Sequence, residues 1–513
     1  MRLLLLTFSF LLSASCSRLN GLPRFLWGRP SERGLVDGGH RHGSDRNQKF
    51  DTTNLVKNTV SQKIDHFNES NSNTYNQRYW YNPSFTQNKS IIFLMIQGES
   101  PATDVWISNP DYQYLQWAKE FGADVFQLEH RCFGQSRPFP DMATKNLKTC
   151  TIAQALEDIN AFILKMNDQY NFINPKWITF GGSYPGTLSA LFRAHYPSAT
   201  VGAIASSAPV SWTLDYFQYA QVVEQVLLQT DPKCAANVNT AFKNMQQLSL
   251  SWKGIQQLNN IFKLNPQFVQ GQYTQRDIDN FFANVYAYYQ DVIQYTYDGR
   301  NAATIGGLNA ANLCKVMTNS SNSEVDNVKN FIDWVDATHG DPVGSFANSY
   351  DVMMKQLSNI TYDDESSEPG SIAANRGWMW LCCNELGALQ TTDQGRNIFQ
   401  QTVPLNYFID QCTEMFGDEI NITYIRDKNS KTTRTYGDVD TYHASNIVLP
   451  NGSFDPWHVI GTYKNITADH MTTILIPGAA HCSDMYPQYD GEPAGLAAAR
   501  QVIHDELAHF LSG

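Results

Sequence analysis

The sequence predicts an α/β fold: a mostly parallel sheet, covered on both faces and interrupted by a large helical insertion. Three observations carry this. Short apolar runs alternate with helical stretches over residues 91–205, as βαβ units require. From Ser211 to about Thr435 strand signals are scarce and helical periodicity dominates. Apolar strand runs return at residues 446–449 and 473–476.

The elements follow in order. Residues 91–96 are continuously apolar and read as a fully buried strand, ending in Gln97-Gly98-Glu99-Ser100. Residues 112–121 are helical, and 124–128 form a second strand ending in Glu129-His130-Arg131. Over residues 151–170, Ile152, Leu156, Ile159, Ile163 and Met166 recur at helical spacing. Residues 177–180 form a strand that meets Gly181-Gly182-Ser183, and a helix starts at once. Residues 201–205 are the next strand. Within the insertion, residues 216–228, 277–289 and 325–334 read as helices, and 363–370 as an acidic surface loop.

The turn at Ser183 places a hydroxyl at the carboxyl end of a buried strand, beside the positive end of a helix. The glycines let the backbone bend tightly. A nucleophile elbow usually reads Gly-x-Ser-x-Gly; here Pro185 takes the last position and Gly186 follows. Proline suits a first helical turn, where its missing N–H has no intrahelical partner. Asp455, in Ser453-Phe454-Asp455-Pro456-Trp457, follows the strand 446–449, and His481 follows 473–476. The chain order Ser, Asp, His is that of the α/β-hydrolase triad. The predicted fold class is therefore an α/β-hydrolase fold with a large inserted helical cap, standing over the edge of the sheet where ligands bind.

In that arrangement His481 takes the proton of Ser183 and returns it to the leaving group, while Asp455 fixes the imidazole tautomer. The backbone N–H of Tyr184 is the first oxyanion donor, and that of Gly98 or Glu99 the second. Other residues compete. His195 lies on an apolar helical stripe with Leu188 and Leu191 and reads as a packed or capping histidine. His130 reads as structural bonding under the site, with a base as the competing role. His443, His458 and His470 read as surface or loop residues. Asp484, three residues after His481, competes with Asp455. Trp457 can line a pocket or pack under its loop, and the residues alone favour packing. Trp378, Met379 and Trp380 are weaker pocket candidates for which core packing is equally open. Glu99 can anchor a peptide's α-amino group or serve as a structural carboxylate.

At 513 residues the chain allows a large domain with an insertion, or two to three domains. A hydrophobic content of 42% supplies a packed core. The formal charge of −12 and a pI near 5.4 argue against a nucleic-acid surface and allow an acidic compartment. Met1-Arg2, an apolar run over 3–12 and Ser13-Ala14-Ser15 read as a secretory signal peptide spanning 1–17. A membrane anchor would need about 20 apolar residues, and no later segment supplies them. Residues 18–50, rich in Gly, Arg, His and Asp, read as a disordered leader or propeptide, with His40 and His42 part of a solvated tail. Nine cysteines less Cys16 leave an even number, which in a secreted chain suggests disulfides. Paired Cys-x-x-Cys ligands are absent, so no zinc site, and no other metal or cofactor, is expected. Glycosylation sequons begin at Asn68, Asn88, Asn319, Asn359, Asn421 and Asn465. A further one at Asn451 falls inside the aspartate loop and is expected to stay unmodified.

Gly-Gly-Ser-Tyr-Pro-Gly, Asn-Gly-Ser-x-Asp-Pro-Trp and Ala-His-Cys-Ser-Asp-Met together resemble the serine peptidases that include prolylcarboxypeptidase, dipeptidyl peptidase II and thymus-specific serine protease. Gln62-Lys63-Ile64-Asp65-His66-Phe67, Phe126 to Arg131, Arg376-Gly377-Trp378 and Cys383-Asn384-Glu385-Leu386-Gly387 extend the resemblance from about residue 60 to the end. The thymus-specific branch looks nearest. Cys132, where relatives mostly carry an aromatic residue, and Cys382 depart from the pattern. The resemblance implies a hydrolase domain over 51–210 and 440–513 and a helical cap over 211–439. It implies that Trp457 lines a hydrophobic slot for proline, and that Cys234 pairs with Cys314 and Cys383 with Cys412. Cys132 with Cys150 is a local pairing, since both depart from the pattern together, and Cys382 with Cys482 is the remainder. Relatives often form dimers, so a homodimer is expected, with no interface readable. The resulting expectation is a secreted or lysosomal serine exopeptidase acting on short peptides after proline. Release of an N-terminal dipeptide is preferred over removal of a C-terminal residue. An esterase-type hydrolase and a non-catalytic binding protein on the same fold stand as alternatives.

Overall fold

The computed structural model describes residues 22–30, 52–87, 89–299, 307–362 and 372–512. Its strands are β1 (Phe25–Leu26), β2 (Arg29–Pro30), β3 (Val56–Lys63), β4 (Thr74–Asn82), β5 (Ile91–Ile96) and β6 (Asp124–Leu128). They continue with β7 (Lys176–Gly182), β8 (Gly202–Ser206), β9 (Leu264–Asn265), β10 (Phe346–Ala347), β11 (Ile447–Gly452) and β12 (Met471–Ile476). One sheet runs in the order β12-β11-β8-β7-β5-β6-β4-β3. From β12 to β6 all neighbours are parallel; β4 and β3 close the far edge in antiparallel pairing.

The continuous apolar run of β5 follows from burial on both faces. Ile92, Leu94 and Ile96 join the core that extends into the insertion, while Phe93 and Met95 join the core of the opposite face. That opposite face is closed by the C-terminal helix Gly495–Ser512 through Ile503, Leu507 and Phe510. The expected parallel strands are all present, β5 and β6 at the expected bounds. The β3–β4 hairpin was not expected. Residues of β3 are mostly exposed and polar, with only Val60 and Gln62 buried, so no apolar run marks it.

Two of the motifs that carry the family resemblance prove to be scaffold. Arg131 Nε donates to Asp158 Oδ2 at 2.6 Å and its Nη1 to Ile64 O at 3.0 Å. His66 Nε2 lies 2.8 Å from Asp158 Oδ1. Gln62 Nε2 donates to Asp158 O at 2.8 Å. The antiparallel edge is thus tied to the helix Ile152–Tyr170 through one buried network.

Between β8 and β11 the chain is helical. Major members are Gln218–Thr230, Pro232–Ser249, Gln275–Gln294, Glu324–His339, Ile372–Leu381 and Leu405–Phe416. The only strand pairing in this stretch among the described residues is the two-residue β9–β10 ladder. Arg376 fastens the region to the sheet domain and to itself, donating to Met142 O, Leu357 O and Met415 O at 3.1 Å each. Glu385 does the same, its Oε2 accepting the Ile152 N–H at 2.8 Å.

Disulfides join Cys132 to Cys150, Cys234 to Cys314 and Cys383 to Cys412. The remaining expected pair does not form: Cys382 and Cys482 are both free and buried. Cys482 is held elsewhere, its Sγ 3.8 Å from Ser206 O. The leader expectation also needs correction. Residues 22–30 pair as the antiparallel hairpin β1–β2, and all nine are buried. The large apolar residues Leu22, Phe25, Leu26 and Trp27 find a core there. The expected signal peptide, the histidines at 40 and 42, the acidic loop 363–370 and the sequon Asn88 lie outside the described residues. Among the described residues no helix is long and apolar enough to cross a membrane.

Candidate active site

Ser183 stands between β7 and the helix Tyr184–His195 with φ 62° and ψ −131°. Non-glycine residues rarely adopt that conformation, and it persists only where neighbours enforce it. They do so here. The Ser183 N–H donates to Ser206 O at 2.9 Å, and Ser183 O accepts the Thr187 N–H at 2.9 Å. A Cβ on Gly181 would fall 2.2 Å from Pro185 O, and one on Gly186 2.8 Å from Ser206 O. The two glycines flanking the elbow are therefore steric necessities, and the one-residue shift to Gly186 follows from where β8 passes. Gly98 lies against the Pro185 ring, where a Cβ would be 2.5 Å from Cγ. The loop after β5 is thereby seated on the first turn of the serine helix.

Asp455 follows β11 and caps the short 3-10 helix Pro456–Ile460, its Oδ1 accepting the Trp457 N–H at 2.9 Å. Its Oδ2 lies 2.7 Å from His481 Nδ1, with both side chains at most 1% exposed. The backbone N–H of His481 donates to Gln294 O at 2.9 Å. His481 Nε2 is buried and has no hydrogen-bond partner. The next residue, Cys482, donates its N–H to Ser207 Oγ at 2.9 Å, and its thiol approaches the same Ser206 carbonyl that receives the Ser183 N–H. The serine turn and the histidine loop are thus anchored on adjacent residues of one strand end. In this structure no hydrogen bond joins Ser183 Oγ to His481 Nε2; such contacts commonly tighten only when substrate is bound.

The competitors go elsewhere. Asp484 Oδ2 accepts the Ser206 hydroxyl at 2.5 Å, and burial pushes its carboxyl up to about 6. It does not bond His481. His130 is buried, its Nδ1 2.6 Å from Arg131 O and its Nε2 3.1 Å from Tyr184 Oη; burial pushes it down to about 4. His195 packs edge-on against Tyr436. His443 pairs with Asp469, His470 with Glu506, and His458 with the Tyr463 hydroxyl.

Trp457 is 3% exposed, packed among Trp212, Tyr216 and Tyr219, and donates its indole N–H to Gln294 Oε1 at 2.9 Å. Trp378 lies edge-on to Tyr184 with centroids 6.0 Å apart. Met379 is fully buried in the main core, and Trp380 donates to Cys150 O at 3.2 Å. Glu99 is buried, and its Oε2 has no hydrogen-bond partner. Asn68, Asn319, Asn359, Asn421 and Asn465 are exposed, whereas Asn451 is buried.

Residues 294 and 295 were missed by the sequence reading. Gln294 ends the longest cap helix and serves both the histidine loop and Trp457, while its Oε1 also accepts the Tyr219 hydroxyl at 2.7 Å. Tyr295 lies edge-on to His481, centroids 5.8 Å apart. They are the last residue and the C-cap of an amphipathic helix whose sequence says only that it is buried.

Comparison with known proteins is consistent across the chain. The serine carboxypeptidase S28 family matches residues 62–503. A Caenorhabditis elegans protein provisionally named a serine protease is 48% identical over 503 residues, covering 96% of this chain and 91% of its own. The thymus-specific serine protease of Mus musculus is 28% identical over 468 residues, covering 88% and 87%. The lysosomal Pro-X carboxypeptidase of Homo sapiens is 26% identical over 460 residues, covering 88% and 86%. With a serine elbow and an aspartate–histidine pair at one edge of its sheet, and a match spanning nearly the whole described fold, this chain belongs to the serine carboxypeptidase S28 family and is a serine-type peptidase.

Proposed function

We propose that the protein is a secreted or lysosomal exopeptidase that cleaves short peptides after proline through an acyl-enzyme on Ser183. His481 accepts the serine proton through Nε2 and returns it to the leaving amine, and Asp455 fixes the Nδ1–H tautomer and stabilises the imidazolium. The observation that carries this reading is the 2.7 Å Asp455–His481 contact, which leaves Nε2 as the only uncommitted ring nitrogen. The N–H of Tyr184 and that of Gly98 or Glu99 form the oxyanion hole. The seating of Gly98 on Pro185 supports this, since it brings the two loops together. Such a donor is worth roughly 2.7–4 kcal/mol in the transition state.

On this reading Trp457 and Trp378 hold the pyrrolidine ring of proline, and the relative named as a Pro-X carboxypeptidase supports proline as that residue. The cap, residues 211–439, excludes long chains and so favours ends. Glu99, a buried carboxylate beside His481, favours release of an N-terminal dipeptide over a C-terminal residue. The exposed sequons and the disulfides fit passage through the secretory pathway. Parallel kinetics on Xaa-Pro amides, Pro-Xaa acids and simple esters test the assignment. Fastest turnover of the Xaa-Pro amides is expected; ester hydrolysis without amide cleavage would reject it.

A further inference from the structure

The hairpin formed by residues 22–30 lies on the residues proposed above to hold substrate. Trp27 and Gly28 form its two-residue turn with φ 50° and 75°, the left-handed pair that such turns require. A Cβ on Gly28 would fall 2.3 Å from Trp457 Cζ2, so the tip rests directly on that ring. Trp27 O accepts the Trp378 indole N–H at 2.9 Å, and the Trp27 ring packs on Phe408 of the cap. Phe25 packs against Tyr295, the residue whose ring meets His481. Arg29 donates to Asn375 Oδ1 at 2.8 Å and to Ser100 Oγ at 3.2 Å.

Arg29 also stands beside Glu99. Burial pushes the Glu99 carboxyl up, and Arg29 is the strongest influence pulling it back. A buried carboxylate without a cation is expensive, so a site that keeps one is built to receive a positive group. A two-stranded hairpin is marginal by itself in water, so this one is held by the cleft. The chain between Pro30 and Thr52 links it to the peptidase body, and no disulfide among the described residues adds a second link.

We propose that residues 22–30 are a built-in pseudosubstrate that blocks the peptidase cleft. On this proposal Ser100 and Asn375, which now accept the Arg29 hydrogen bonds, form with the neighbouring buried Glu99 the subsite for a substrate's cationic group, an α-ammonium or guanidinium. The proposal rests on the peptidase reading above. A cut between residues 30 and 52 leaves the hairpin held by contacts alone, and its departure exposes Trp457, Trp378 and Glu99 together.

Gly28→Val in the full-length chain tests the block. The added side chain meets the Trp457 ring and strains the turn, while the hairpin is no part of the eight-stranded sheet. Turnover of a dipeptide amide and the rate at which a fluorophosphonate labels Ser183 are expected to rise by the reciprocal of the open fraction, on the order of tenfold or more. Arg29→Glu, which sets like charge against Glu99, provides a second full-length variant should the first fold poorly. A synthetic peptide of residues 22–30 should compete with substrate on the activated variant. Its Arg29→Ala form should compete about tenfold less well, as loss of charged hydrogen bonds predicts. Glu99→Gln in the activated background should raise KM at least about tenfold more for a substrate with a free α-amino group than for its N-acetylated form. Equal losses on both substrates would overturn the cation subsite. Labelling and turnover at the parent rate in folded Gly28→Val and Arg29→Glu would overturn the block while leaving the nucleophile standing. Absence of label at Ser183 in every form would remove the peptidase reading and the block together.

Discussion

At the scale of single residues, two carboxylates near His481 have different partners. Asp455 bonds His481 Nδ1 at 2.7 Å, whereas Asp484 is spent on Ser206. Asp455→Asn should therefore lower kcat by about 10⁴, the cost of presenting the wrong imidazole tautomer. Asp484→Asn should stay within about tenfold of the parent, because it touches no reacting group. Equal losses in steady-state kinetics would contradict the assignment. Ser183, Asp455 and His481 were legible in the sequence because each is set by a short stretch of chain: a strand, a Gly- or Pro-marked turn, and the residue at its apex. Gln294 was not, because its role comes from where the end of a long cap helix lands. Its Oε1 accepts from both Trp457 and Tyr219. Gln294→Leu would strand two buried donors at about 1–3 kcal/mol each. It should lower Tm and raise KM more than it lowers kcat, as thermal unfolding and kinetics on the same preparation would show.

At the scale of elements, the serine turn works because β7, the helix behind it and β8 approach one another to backbone contact. Gly181 has no room for a methyl group, the nearest atom being the Pro185 carbonyl oxygen at 2.2 Å. Gly181→Ala should destabilise by about 1–3 kcal/mol, read as a lowered urea midpoint, and should slow labelling of Ser183. An unchanged midpoint would show that the helix can retreat without cost. Elements with one dominant signal were legible: β5 and β6 are unbroken apolar runs, and helix Ile152–Tyr170 shows apolar periodicity with Thr151 accepting the Gln154 N–H at its start. The β3–β4 ribbon was not, since its solvent side leaves little apolar pattern. Neither was β1–β2, whose Phe-Leu-Trp cluster was outweighed by the polar stretch around it.

At the scale of the whole molecule, cap and sheet domain share one continuous core, and the partly buried Glu385 sits at their junction. Burial pushes Glu385 up to about 7 although it accepts the Ile152 N–H. A carboxyl whose pKa is higher folded than unfolded binds protons in favour of the folded state. Its contribution is present below about 4.5 and is lost as pH rises through about 7. His130 acts in the opposite sense over roughly pH 4 to 6.5, since burial holds it neutral. Comparison of parent and variant isolates the glutamate. Glu385→Gln should stabilise the protein at pH 8 by about 2–3 kcal/mol at most and change little at pH 4.5. A pH-independent difference in Tm would contradict this. Glu385 was not legible as a group of this junction, because its partner, the Ile152 N–H, comes from a distant segment and no local pattern announces the pairing.

The central claim is that one hydroxyl, Ser183, is the nucleophile, activated through His481 and Asp455. Labelling of folded, processed protein with a fluorophosphonate, followed by peptide mapping, tests it most directly. The account predicts a single adduct on Ser183, absent from Ser183→Ala and strongly slowed in Asp455→Asn. An adduct on another residue, or peptide turnover that survives Ser183→Ala, would contradict it.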